Sequence, residues 1–173
     1  MATRDGWPLR SFEWPATGVA RGSILFQGGR GDIIEKYLEV FDHWHRLGWN
    51  ISAFDWRGQG GSGRLAADPH VGHCVDFGVW VDDLAEFVAD WTARAPGPHV
   101  IMGHSMGGHL VLRTLAEKRI LPDAAVLVAP MLGFETGALP LRVGDNNATI
   151  ETGVTTAENA SGSYSGYWQS KPG

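Results

Sequence analysis

The chain has 173 residues, a formal net charge of −5, 43% hydrophobic and 19% charged residues, which is enough apolar content for one folded domain and too much for a disordered chain. No basic patch stands out, so nucleic acid is not an expected partner, and no run approaches the ~20 apolar residues of a membrane span. The first ten residues hold no apolar stretch of signal-peptide length and the single cysteine, Cys74, has no internal partner; together these predict a cytoplasmic setting.

In chain order, a weak strand is predicted over 9–14 and a short apolar strand over 23–26, ending at Gly28-Gly29. A helix follows over 32–47, with Ile34, Tyr37, Leu38, Phe41 and Trp44 at helical spacing. Asp32 and Glu35 are spaced as a capping box at its start, and Gly48 closes it. Residues 50–54 read as a strand and 57–63 as a glycine-rich turn. A second helix spans 77–94, with Trp80, Leu84, Phe87, Val88 and Trp91 on one face, and Pro96-Gly97-Pro98 stops it. A strand over 99–102, a helix over 106–118 and a strand over 124–129 complete the series. Strands alternating with helices predict βαβ units and a mostly parallel sheet.

Character changes at Val143. Residues 144–173 are mostly Gly, Ser, Thr, Asn and Ala with a few aromatics, and contain no Leu and no Arg. Such a segment buries too little apolar surface to offset its ordering entropy. The expected organisation is therefore a folded unit over 1–143 and an unstructured tail over 144–173. Three origins fit this break: a fragment or frame-shifted product, which the abruptness favours; a scaffold protein that lost catalysis; or a chain whose missing groups come from a second chain.

Chemistry concentrates in Gly103-His104-Ser105-Met106-Gly107, a G-x-S-x-G match between an apolar strand and a helix. In that context Ser105 is a nucleophile rather than a helix N-cap. A strained turn projects its hydroxyl from the sheet. Side chains at Gly103 or Gly107 would collide with the neighbouring strand and helix, and the helix N-terminus presents amides where an oxyanion forms.

Two further blocks carry a resemblance: Phe26-Gln27-Gly28-Gly29-Arg30-Gly31, after a strand, and Asp55-Trp56-Arg57-Gly58-Gln59-Gly60-Gly61-Ser62-Gly63-Arg64. With the Ser105 turn, in this order and spacing, the chain resembles α/β-hydrolases of the lysophospholipase and monoacylglycerol lipase type, a serine aminopeptidase-like group, over about residues 9–142. The resemblance implies an α/β-hydrolase sheet with helices on both faces, cut off before the cap and last strands. It implies a serine hydrolase of carboxylic esters, with a small acyl ester or lipid as substrate and neither cofactor nor metal. Ser105 would be the catalytic nucleophile, Met106 and Gly29 the backbone oxyanion donors, Arg30 the second choice in the loop, and Gly103 and Gly107 the glycines of the turn. Gln27 stands where the family usually has histidine.

Other patterns have plainer readings. Gly58, Gly60 and Gly63 match a dinucleotide-binding spacing, but residues 64–69 do not continue as the helix that motif needs. His43 and His45 face different directions on their helix, His70 and His73 fall in a loop, and neither pair makes a metal site. His104 flanks the nucleophile, and His109 should point along the helix away from the hydroxyl. A triad needs a base and an orienting acid after the serine; the tail offers Asp145, Glu151 and Glu158, yet no histidine follows His109 to act as base. The resemblance therefore predicts a chain inactive by itself, with a non-catalytic binding protein of the same descent as the alternative.

Overall fold

The computed structural model describes residues 1–70, 73–74, 76–132 and 165–166. Its elements are β1 (Ser11–Trp14), β2 (Ser23–Gln27), a 3-10 turn (Ile34–Tyr37) leading into α1 (Leu38–Arg46), β3 (Asn50–Phe54), α2 (Phe77–Arg94), β4 (His99–His104), α3 (Met106–Ala116), β5 (Ala124–Val128) and β6 (Ser165–Gly166). The strands form one sheet in the order β1-β3-β2-β4-β5-β6. The four central strands are parallel, while β1 and β6 join antiparallel at the two edges.

Alternation along the strands sorts the core into two layers. Leu25, Phe54, Ile101 and Leu127 point to one face and pack with α2 and α3, where Trp80, Leu84, Phe87, Trp91 and Leu110 are buried. Ile24, Phe26, Ile51 and Ala53 point to the other, against Ile34 and Phe41. Helices therefore cover both faces, and each fully buried large side chain contributes about 1.5–3 kcal/mol. The α2 pattern of Trp80, Leu84, Phe87 and Trp91 forms the helix face that reaches the sheet. Asp76 caps that helix by accepting from Gly78 N at 2.8 Å.

One expectation is corrected at the start of α1. No capping box forms: Ile33, at the N-cap, is extended (φ −124°, ψ 158°) and no side chain caps the turn. Glu35 instead accepts from Arg10 Nη1 and Nη2 at 2.5 and 2.8 Å, and that guanidinium holds its carboxyl down at about 2. A tertiary partner 25 residues upstream outcompetes the local cap. Gly48 does end the helix region, with φ +87°.

The 143 boundary and the 144–173 tail lie outside the described residues apart from Ser165–Gly166. Those two residues pair with Val128 and Leu127, so part of the outer edge of β5 is covered. Val126 and Val128 nevertheless remain exposed on the α1 face. Among the described residues, no helix is long and apolar enough to cross a membrane.

Candidate active site

β4 runs straight into α3 through Ser105, whose backbone adopts φ 52°, ψ −118°. For a residue with a side chain this region costs about 1–3 kcal/mol. Surrounding bonds hold the strained geometry. Ser105 N donates to Val128 O at 3.0 Å, while Ser105 O accepts from Met131 N at 2.9 Å and His109 N at 3.1 Å. The end of β5 and the chain after it thus clamp the turn from one side.

The glycines make the turn possible. A Cβ on Gly103 would lie 2.7 Å from the backbone of Gly107 and Gly108, and one on Gly107 would meet the carbonyl oxygens of Gly28 and Gln27, the latter at 2.5 Å. Both obstacles are backbone and cannot swing aside. We therefore expect Gly107→Ala to destabilise the fold by about 3 kcal/mol, the upper end for overpacking, because α3 must move away from β2. Chemical denaturation followed by tryptophan fluorescence measures this, and a loss under ~1 kcal/mol would show that the helix can shift cheaply.

The second block forms the loop after β2, with Gly28 O accepting from Trp56 Nε1 at 2.8 Å. This loop abuts the serine: a Cβ on Gly29 would sit 3.1 Å from Ser105 Cβ. The Gly29 amide, expected as an oxyanion donor, is already engaged and donates to Asp32 Oδ2 at 2.8 Å. Gly31 N donates to Gln59 Oε1 at 2.5 Å. Arg30 N has no acceptor among the described residues. Met106 opens α3, where the first amides lack intrahelical acceptors. Gln27 is fully buried, and neither end of its side-chain amide has a partner among the described residues.

Asp32 is the group that sequence reasoning misplaced. Its carboxylate accepts from Gly29 N, from Tyr37 OH at 2.6 Å and from Lys36 Nζ at 2.5 Å. Tyr37 OH also lies 3.0 Å from His104 Nδ1. Burial raises the Asp32 carboxyl, but the bonds from Lys36, Tyr37 and Gly29 outweigh it and the net shift is downward. Burial, followed by the neighbouring Asp32 charge, pushes the Tyr37 phenol upward. The signal was present in the spacing of Asp32, Lys36 and Tyr37, but that spacing also fits an ordinary helix start.

The third block is a structural turn. Gly58, Gly60 and Gly63 all take positive φ, so no helix starts there for a dinucleotide. The buried Asp55 carboxylate gathers Arg10 Nε at 2.6 Å, Ile34 N at 3.0 Å and Gly61 N at 2.8 Å. Ser62 Oγ donates to Asp55 O at 2.7 Å and accepts from Arg10 N at 2.9 Å.

No histidine is hydrogen-bonded to Ser105 Oγ among the described residues. His104 turns to Tyr37. His109 packs edge-on against Phe77 at 5.9 Å, and burial lowers its pKa. His70 and His73 are exposed, and His45 stacks on Trp14 at 4.3 Å. Among the described residues, no group of three or more His, Cys, Asp or Glu is placed to hold a metal ion.

A parallel sheet flanked on both faces, with a strained serine between a central strand and its following helix, defines an α/β-hydrolase. Solved structures agree on the fold: a Paleococcus ferrophilus monoacylglycerol lipase superposes with TM-score 0.59 at 20% identity over 72% of this chain and 44% of that one. A lipase in its open form gives 0.66 at 15% identity over 78% and 44%. The family described as serine aminopeptidase, S33, matches residues 18–148, and the chain belongs to that family. It is 44% identical over 135 residues to lysophospholipase L2 of Escherichia coli strain K12, covering 75% of this chain and 38% of that protein. It is 29% identical over 135 residues to human monoglyceride lipase, covering 76% and 42%. The chain thus spans less than half the length of these relatives.

Proposed function

We propose that the chain carries the nucleophile and oxyanion part of a serine hydrolase acting on lipid esters, of the lysophospholipid or monoacylglycerol kind. The observation that carries this reading is the Ser105 backbone, strained at φ 52° between β4 and α3 with Gly103 and Gly107 on either side. Nothing in a plain helix cap requires that strain. The substrate class rests on the names of the relatives, lysophospholipase L2 and monoglyceride lipase. In this reading Ser105 Oγ attacks the acyl carbon. Met106 N–H and one amide of the 29–30 loop stabilise the developing oxyanion, each worth ~3 kcal/mol. A base must take the serine proton, and in this fold it follows the nucleophile and the acid in the chain.

A non-catalytic binding role is the second reading, favoured by the absence of a histidine on Ser105 Oγ among the described residues. An organophosphorus fluoride separates the two. The hydrolase reading expects slow but selective modification of Ser105, seen by peptide mass spectrometry and absent in Ser105→Ala. Equal labelling of several serines, with Ser105 not preferred, would leave the binding role.

A further inference from the structure

The nucleophile turn is held differently on its two sides. Toward β5 the main chain holds it: Ser105 bonds to Val128 and Met131, and His104 pairs with Val128. Toward β2 the sheet pairing stops one residue short of His104, at Gln27 and Gly103. Past that pair, the hydrogen bonds that link the two segments among the described residues run through side chains. His104 Nδ1 lies 3.0 Å from Tyr37 OH, Tyr37 OH lies 2.6 Å from Asp32 Oδ2, and Gly29 N donates to that same oxygen at 2.8 Å. We propose that Tyr37 is a positioning residue for Ser105: its hydroxyl donates to Asp32, accepts from His104, and so ties the end of β4 to the loop after β2 where the backbone no longer does. This rests on the serine-hydrolase reading and deepens it.

Counting hydrogens fixes the direction of each bond. A phenol carries one hydrogen and an ionised carboxylate none. Burial raises the Asp32 carboxyl, but the bonds from Lys36, Tyr37 and Gly29 bring it below its ordinary value, so Asp32 is ionised. Burial, followed by the bond to Asp32, raises the Tyr37 phenol, so Tyr37 keeps its hydrogen. The 2.6 Å contact therefore carries that hydrogen. Tyr37 has only lone pairs left for His104, which places the hydrogen of the 3.0 Å contact on His104 Nδ1. Asp32 Oδ2, 3.4 Å from the same nitrogen, favours it there as well. These groups converge on the space that Gly29 leaves open. A Cβ on Gly29 would lie 2.9 Å from Asp32 Oδ2, 3.1 Å from Ser105 Cβ and 3.4 Å from His104 Nδ1. The Tyr37 ring is anchored separately, 4.4 Å from Phe26 between centroids, so removing the hydroxyl alone leaves that packing in place.

Two measurements test this. Long-range proton–nitrogen correlation spectra of the 15N-labelled chain, in alkaline buffer where imidazoles are neutral, report which ring nitrogen of His104 carries hydrogen. The His104 signals are those missing in His104→Asn. Nδ1–H is expected, against the Nε2–H form that an unconstrained imidazole side chain prefers, and Nε2–H would overturn the proposal. The second measurement is labelling by an organophosphorus fluoride, which phosphorylates a serine hydroxyl and releases hydrogen fluoride, followed at several reagent concentrations. Tyr37→Phe should lower the maximal rate at Ser105 about tenfold and leave the half-saturating concentration within about twofold, a smaller loss than the ~100-fold of a 1 Å misplacement. His104→Asn, which keeps an N–H donor in the place of Nδ1–H, should label at close to the wild-type rate; a histidine acting as base could not be replaced in this way. Equal rates in wild type and Tyr37→Phe would overturn the positioning role and leave the hydrolase reading standing, as would a His104→Asn variant as slow as Tyr37→Phe. Wild-type Ser105 labelled no faster than other serines would overturn the hydrolase reading and the positioning role with it, while the spectra still decide the proton order.

Discussion

Arg57→Ala is expected to destabilise the chain by about 3–5 kcal/mol, the range for removing one partner of a buried ion pair. The Arg57 side chain is 7% exposed and that of Asp83, on α2, is 2%. They meet in a two-pronged bond, Nε to Oδ2 at 2.9 Å and Nη2 to Oδ1 at 2.6 Å. Nη1 also donates to Asp5 at 2.5 Å, Nη2 is further shared between Asp5 at 3.0 Å and Thr3 Oγ1 at 3.2 Å, and Cζ lies 5.2 Å from the Trp7 ring centroid. Alanine would leave the Asp83 carboxylate buried without its counter-charge. Burial already pushes that carboxyl up, with Arg57 opposing. Without Arg57 the upward shift grows, so the folded state favours the neutral acid. Stability of the variant is then fully present below the unfolded-state value and falls as pH rises through the folded one. The deficit relative to wild type should shrink in acid. Asp5 is largely exposed, so Asp5→Ala should cost under ~1 kcal/mol. Urea denaturation at pH 7 and pH 4 measures all three quantities. The double replacement Arg57→Met with Asp83→Leu should recover most of the loss, since apolar groups of similar size substitute well for a buried pair. Near-neutral stability of Arg57→Ala itself would show that water reaches Asp83.

What the sequence made legible follows from range. α2 was readable to the residue because its face of Trp80, Leu84, Phe87 and Trp91 and its stop at Pro96 are local signals, and β3 because Asn50 to Phe54 is bounded by Gly48 and a glycine turn. The Ser105 turn was readable because its glycines are required by contacts with backbone close in sequence or fixed by the sheet. Asp32 was misread because local spacing cannot show that Gly29 folds back over it, nor that Arg10 draws Glu35 away. The roles of Asp55 and Arg57 were equally hidden: both lie in a recognisable turn, yet their partners, Arg10, Asp5 and Asp83, come from the N-terminal segment and from α2. β4 ran two residues past its predicted end, to His104, because Gly103 pairs with Gln27 and Leu127. Glycine is a poor strand former by itself, and the sheet decides its state.

Purified chain is expected to hydrolyse p-nitrophenyl butyrate and lysophosphatidylcholine at a small fraction of the rate of a complete serine esterase. An unaided serine hydroxyl keeps its proton near neutral pH and is a weak nucleophile. Among the described residues neither nearby histidine is hydrogen-bonded to Ser105 Oγ: His104 Nδ1 lies 3.0 Å from Tyr37 OH, and His109 packs on Phe77, where burial favours its neutral form. The sequence has no histidine after His109. Loss of a triad member elsewhere leaves about 10³–10⁴-fold acceleration over water, from the oxyanion site and substrate binding. That sets the ceiling expected here. Whatever turnover exists should be lost in Ser105→Ala and should survive His109→Gln. Initial rates against a no-protein blank, with both variants in parallel, measure it. Fast turnover that disappears in Ser105→Ala would mean that a base reaches Oγ after all, and a rate that also falls in His104→Gln or His109→Gln would identify it. Turnover equal in wild type and Ser105→Ala would place the hydrolysis elsewhere on the protein and remove Ser105 from the chemistry.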